Sequence, residues 1–173
     1  KHSLSFTGYY NDISNLIRWI PNSLNIWQPE NVDEVETYGM EANFESSFLL
    51  GSYKLSISSL YALTTSKNKR TGYQLTYVPQ HKWSSNFIYG VERFSINLQH
   101  TYNGEVFTMT DNSDSGIISD YWLWNAGLSY RFPKLQKLKI SAQVRNIANI
   151  AYQTVENRPM PGRHFFIQTL INF

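Results

Sequence analysis

Four histidines, His2, His81, His100 and His164, are the side chains best suited to acid–base or metal chemistry, and their spacing supports neither. No two stand at i, i+4 in a helical run, and cysteine is absent, so no metal-ligand pattern forms. Gly-x-Ser-x-Gly, His-Glu-x-x-His, phosphate-cradling glycine loops and nucleic-acid motifs are missing too. The one catalytic arrangement left is a Ser, His and acid set assembled from separate segments, with His100 or His164 as its base. Charged residues offer a second chemistry. Gly39, Glu41 and Asn43, and the cations Arg131, Lys139 and Arg145, stand at alternate positions of otherwise apolar runs. There they can pair with one another across a wall, or meet a docked segment or a substrate. Aromatics in turn-rich stretches offer a third. Trp19, Trp27, Tyr73, Tyr77, Phe107 and Tyr152 can hold a large ligand by broad apolar contact.

The elements that must position these residues are strands. Arg163–Phe173 alternates with period 2, with Phe165, Ile167, Thr169, Ile171 and Phe173 on one side and His164, Phe166, Gln168, Leu170 and Asn172 on the other, where Phe166 and Leu170 blur the polar face. A closing apolar strand with a terminal aromatic suits an outer-membrane barrel, and Phe165, Ile171 and Phe173 are its candidate closing signal. The same alternation predicts strands over 2–18, 31–46, 54–65, 82–90, 94–103, 120–132 and 137–149. Pro21, Asn22 and Pro29 predict a loop over 20–30. Turns are expected at 46–53, 90–93 and 132–136, and longer connections at 66–81, 105–119 and 150–162. Long and short connections therefore alternate, the rhythm of extracellular loops and periplasmic turns. In this register Glu41, Asn43, Asn97, Arg131, Gln143 and Arg145 share the inner side, and a slip by one residue would turn them to lipid.

Composition agrees. Charged residues make up 16% of the chain, below the ~25% of ordinary soluble domains, while aromatics also reach 16%. That balance favours β-structure with aromatic belts. No run of 18 apolar residues supplies a transmembrane helix. A net charge of +2 without a basic run gives no reason to expect nucleic acid. The chain opens within a strand and shows no leader, so it is expected to be a piece of something longer.

Four segments in order resemble the barrel of TonB-dependent outer-membrane receptors. They are NVDEVETYGMEANFE at 31–45, YVPQHKW at 77–83, VRNIANIAY at 144–152, and PGR at 161–163 followed by the last strand. YYNDISNLIRWIP at 9–21 looks most like the cobalamin (vitamin B12) receptor branch. The resemblance implies an all-β fold, an antiparallel transmembrane β-barrel of which residues 1–173 are about the last eight strands of 22 around a plug. It implies an outer-membrane active transporter of a scarce large ligand, cobalamin or another corrinoid first, then a siderophore or haem. It implies no enzyme activity, cofactor or metal. Expected partners are outer-membrane lipid, the plug and remaining strands, the TonB complex acting through the plug, and, as a candidate, a surface-exposed ligand-capture lipoprotein. Gly39, Glu41, Asn43, Arg131 and Arg145 would face lumen or plug, and the six loop-side aromatics would face ligand. Three other readings stay open: a self-contained eight-stranded outer-membrane barrel with a structural or adhesive role, an outer-membrane hydrolase, and a soluble β-sandwich or barrel.

Overall fold

A computed structural model gives the fold, and it describes every residue except 25, 134–137 and 172–173, with backbone only at 18, 20, 21, 32 and 33. The strands, in chain order, are β1 (His2–Pro21), β2 (Trp27–Leu50), β3 (Tyr53–Asn68), β4 (His81–Val91), β5 (Phe94–Asn103), β6 (Val106–Phe107), β7 (Ile117–Ile118), β8 (Tyr121–Arg131), β9 (Leu138–Arg145), β10 (Gln153–Val155), β11 (Arg158–Pro159) and β12 (His164–Ile171). Eight of them form one antiparallel sheet in the order β1-β2-β3-β4-β5-β8-β9-β12. The short pairs β6–β7 and β10–β11 lie within the connections 104–120 and 146–163.

Cross-strand register shows why the alternation matters. One row of partners runs Glu45, Ser58, Asn86, Gln99 and Asn125 from β2 to β8. Its neighbour runs Ser46, Ile57, Phe87, Leu98 and Ala126. Polar residues therefore sit beside polar ones and apolar beside mostly apolar ones, so the sheet has two unlike faces. Cavities open on the polar face, for example that lined by Asn97, Gln99, Asn125, Ser141, Gln143 and Arg145, which marks it as the concave side.

The apolar face covers nothing. Among the described residues the buried hydrophobic side chains are Val35, Leu75 and Val106, none of them midway along the wall. Phe6 is 76% exposed, Leu128 50% and Ile167 81%. A soluble sandwich buries such residues against a second sheet, and a contiguous apolar surface of this size is unstable in water. Lipid is the environment that fits. Tyr61, Trp83, Tyr102 and Trp122 form one aromatic row across β3, β4, β5 and β8. Tyr53 with Tyr89, and Phe94 with Tyr130 and Phe132, form a second towards the short turns. Phe94 and Tyr102 are eight residues apart on β5, about 27 Å along the strand at ~3.4 Å per residue. Tilted by ~40°, that is about 21 Å along the membrane normal, close to the ~25 Å apolar band of outer-membrane barrels.

β1 and β12 are the two edges of the sheet and do not pair with each other. The wall is open, which overturns the self-closed eight-stranded barrel. The expected loop at 20–30 is also corrected. Pairing continues through Trp19↔Pro29 to Pro21↔Trp27, so the connection shrinks to 22–26 at the tip of a long ribbon. β3 leaves β2 at Val35↔Asn68, so beyond it each ribbon strand has one unpaired side, where a proline's missing N–H is tolerated. At the opposite end the β2–β3 turn is only 51–52, and Gly51 takes φ +59°, a conformation suited to tight hairpins and to glycine. After the first connection, the expected alternation of short and long connections holds, with 51–52, 92–93 and 132–137 short and 69–80, 104–120 and 146–163 long.

Candidate functional site

The polar face and the long-connection end form the candidate site. Gly39, Glu41 and Asn43 alternate along β2 on the polar face, opposite Tyr9, Thr7 and Ser5 of β1. Gly39 has a local reason. A Cβ there would strike the Leu63 carbonyl and come within 2.7 Å of the Tyr9 hydroxyl, which itself hydrogen-bonds Thr64 Oγ1 at 2.7 Å. The ring of Tyr9 thus lies across the glycine, an aromatic filling the space of a missing side chain.

Arg131 and Arg145 share that face, at opposite ends of the wall on β8 and β9. The structure does not bring them to Glu41, because β2 and β8 are four strand spacings apart, roughly 19 Å. The expected charge network is therefore corrected: among the described residues the ion pairs are those of Lys69 with Asp12 (2.6 Å) and Glu34 (4.0 Å). Arg131 instead stands directly opposite Lys139, and the Arg145 guanidinium lies 4.7 Å from the ring centre of Phe166.

The loop aromatics divide into groups. Trp19 and Trp27 are in strands, not in a loop, and share one side of the ribbon with Ile17. Trp27 meets Tyr77 with ring centres 6.5 Å apart, and the Tyr77 N–H donates to the Phe107 carbonyl at 2.8 Å. Ribbon, connection 69–80 and connection 104–120 are thus joined through three of the six residues. Tyr73 is 44% exposed, while Tyr152, in the separate connection 146–163, meets Tyr121 of β8 at a tilt with ring centres 4.8 Å apart. Phe165 and Ile171 lie on the apolar face of β12, opposite Val144 and Leu138. Phe173 lies outside the described residues.

Sequence reasoning missed the residues that shape these connections. The Asn112 amide hydrogen-bonds both the N–H (2.7 Å) and the carbonyl (2.9 Å) of Gln74, locking two connections together. Asn146 is buried, with its amide donating to the Ile150 carbonyl (2.8 Å) and accepting from the Ile150 N–H (3.0 Å). Asn149 accepts the Arg163 N–H at 2.7 Å. All three asparagines have positive φ, which asparagine tolerates better than most residues. The two asparagines of VRNIANIAY were the available signal.

The histidines stay apart, and no group of three metal-ligating side chains forms among the described residues. His100 sits in the apolar aromatic belt, 4.8 Å from Trp83 and 4.7 Å from Trp124. His81 pairs with the Tyr61 hydroxyl at 2.7 Å, and His164 donates to the Gly162 carbonyl at 2.7 Å.

Comparison with known proteins agrees with this geometry. Residues 1–147 match the family model for the TonB dependent receptor-like β-barrel. The chain is 27% identical over 175 residues to the vitamin B12 transporter BtuB of Vibrio vulnificus, and 25% identical over 173 residues to that of Photobacterium profundum. It is covered at 99% and 98% and spans 27% of each relative's length. Among solved structures, the copper transporter OprC matches all of this chain over 28% of its own, with TM-score 0.80 and 19% identity. The ferric enterobactin receptor PfeA of Pseudomonas aeruginosa matches 98% of the chain over 29% of its own, with TM-score 0.73 and 21% identity. The chain belongs to the TonB-dependent receptor family of outer-membrane β-barrels, whose members are transporters and receptors rather than enzymes.

Proposed function

We propose that this chain is part of the wall and extracellular connections of an active transporter that imports a scarce, large ligand, a corrinoid such as cobalamin in preference to a siderophore or haem. The single observation that carries the transport reading is the open sheet, with an apolar outer face, a polar concave face and unpaired edges at β1 and β12. Such a wall needs further strands to close and a filling for its lumen. We read the filling as a plug domain on which the TonB complex acts, with residues 1–173 as the C-terminal portion of the barrel. A ligand-capture lipoprotein at the cell surface remains a candidate partner. The corrinoid preference rests on the likeness to the two vitamin B12 transporters. In this reading Trp19, Trp27, Tyr77 and Phe107 contact the ligand at the mouth, where rigid aromatic surfaces give area at little entropy cost.

The test is uptake by the full-length receptor in cells lacking their own corrinoid receptor. Labelled cyanocobalamin is expected to enter, and entry is expected to stop when TonB is deleted. Import of a ferric siderophore or haem instead would overturn the ligand, and TonB-independent entry would overturn the mechanism.

A further inference from the structure

β5, β8 and β9 lie side by side, and their inward positions fall into cross-strand rows. Nearest the short turns the row is Arg93, Arg131 and Lys139. The Arg131 N–H donates to the Arg93 carbonyl at 3.0 Å, and Arg131 pairs directly with Lys139. The next row is Ser95, Ser129 and Ser141, and the one after it is Asn97, Gly127 and Gln143, where the glycine leaves room between two amides. A cavity of about 290 Å³ is lined by the three cations, Ser95 and Ser129, together with Lys54 and the single carboxylate Glu92. A second cavity shares Ser95, Ser129 and Lys139 and adds Ser141, so the recess continues up the three strands. Among the described residues, none of these four cations makes an ion pair and the hydroxyls of Ser95, Ser129 and Ser141 have no hydrogen-bond partner. Like charges placed directly across a strand pair destabilise a sheet, so three in one row call for a compensating anion.

The number of donors identifies the class of anion. Arg93 and Lys139 are two strand spacings apart, about 10 Å, a gap that two long side chains close by converging on a group beside Arg131. A carboxylate brings one charge and two oxygens, and a single guanidinium fork already satisfies it. A phosphate monoester brings about −1.5 to −2 charge at pH 7 and three strong acceptor oxygens. Only the second has charge and oxygens enough for three cations and the serine hydroxyls above them. From this geometry we infer that the short-turn end of β5, β8 and β9 is a binding site for a phosphate monoester. Arg131 presents its fork, Arg93 and Lys139 close from either side, and Ser95 and Ser129 donate from above, while the walled recess strengthens the attraction. The inference stands apart from the choice of imported ligand. The short turns mark the periplasmic rim, so the phosphate belongs either to a soluble ester in the mouth of the lumen or to the headgroup of a lipid at that rim.

The experiment titrates the full-length receptor, in detergent and phosphate-free buffer at pH 7, with glycerol 3-phosphate by calorimetry. Saturable binding is expected, with succinate, a dianion built of carboxylates, about tenfold weaker or more. Arg131→Gln with Lys139→Gln is expected to weaken the phosphate ester about a hundredfold, the loss of two charge-assisted hydrogen bonds. Ser95→Ala with Ser129→Ala is expected to weaken it about tenfold. Should the glutamine pair fail to fold, the serine pair still decides, because its hydroxyls hold nothing in the wall. No saturable binding, equal affinity for succinate, or an affinity that neither pair of substitutions changes would overturn the inference. A recess already filled by the receptor's own chain shows as absent binding and overturns it too. Repeating the titration with receptor in phosphatidylcholine vesicles, with and without phosphatidic acid, separates the two sources. Unchanged affinity identifies a soluble ester as the occupant, and loss of binding in the presence of phosphatidic acid identifies the lipid headgroup; either upholds the site.

Discussion

Replacing Asn146 by alanine is expected to unlock the connection 146–163. The Asn146 side chain is 3% exposed and makes two good hydrogen bonds, to the carbonyl and N–H of Ile150, and a long third to the Pro161 carbonyl at 3.4 Å. Each of the first two is worth about 1 kcal/mol net. The backbone at φ +51° adds about 1 kcal/mol against alanine, because a Cβ without a local hydrogen bond disfavours that region. Local opening should therefore become easier by about 3 kcal/mol, which is about a hundredfold in its equilibrium. Hydrogen exchange of the intact receptor reads this directly at the amides of Ile150 and Arg163. Asn146→Gly separates the two causes, since glycine accepts the backbone angle and loses only the hydrogen bonds, about 2 kcal/mol. Exchange within about threefold of wild type for the alanine variant would refute the ledger. Equal effects of alanine and glycine would refute its backbone part.

Three further outcomes follow from the same structure. Gly39→Ala should destabilise the folded barrel by about 1–3 kcal/mol, since its Cβ meets backbone and the Tyr9 hydroxyl; a lower folded fraction on a heat-modifiability gel checks it. On the proposed reading, Trp27→Ala and Tyr77→Ala should weaken ligand capture while leaving receptor abundance unchanged, because the two rings meet among the long connections rather than in the wall; uptake against ligand concentration measures this as a raised half-saturation. In connection 104–120 the Ser113 N–H and hydroxyl hold the Asp111 carboxyl below the ordinary carboxylate range. A lowered folded value means its contribution is complete above about pH 4 and lost as pH falls through that value. Protection of the Ser113 amide, relative to its intrinsic exchange rate, should fall only in that acid window, and Asp111→Asn should remove this pH dependence of the protection.

The sidedness of the wall was legible because period 2 is unforgiving. Once Leu4, Phe6 and Tyr10 on β1, or Leu138, Ile140 and Val144 on β9, define one face, the position of every charge between them follows. Loop length was less legible. Pro21 and Pro29 read as breakers, and only pairing partners reveal a ribbon with one free side on each strand. Gly39 was legible as a place of close approach, but what approaches is Tyr9, thirty residues earlier. Charge pairing was over-read: Glu41 and Arg145 share a face, yet sequence carries no distance around a curved wall. Asn112, Asn146 and Asn149 escaped because their roles depend on backbone angle and on partners in other connections.

The transporter reading depends on which side of the sheet meets lipid. Single cysteines at Ile96, Asn97, Leu98 and Gln99 of β5 in the intact receptor test this in one experiment. Probes at 97 and 99 should react with a water-soluble reagent, and those at 96 and 98 should be quenched from within the bilayer. Reversed alternation, or four equivalent positions, would contradict the account.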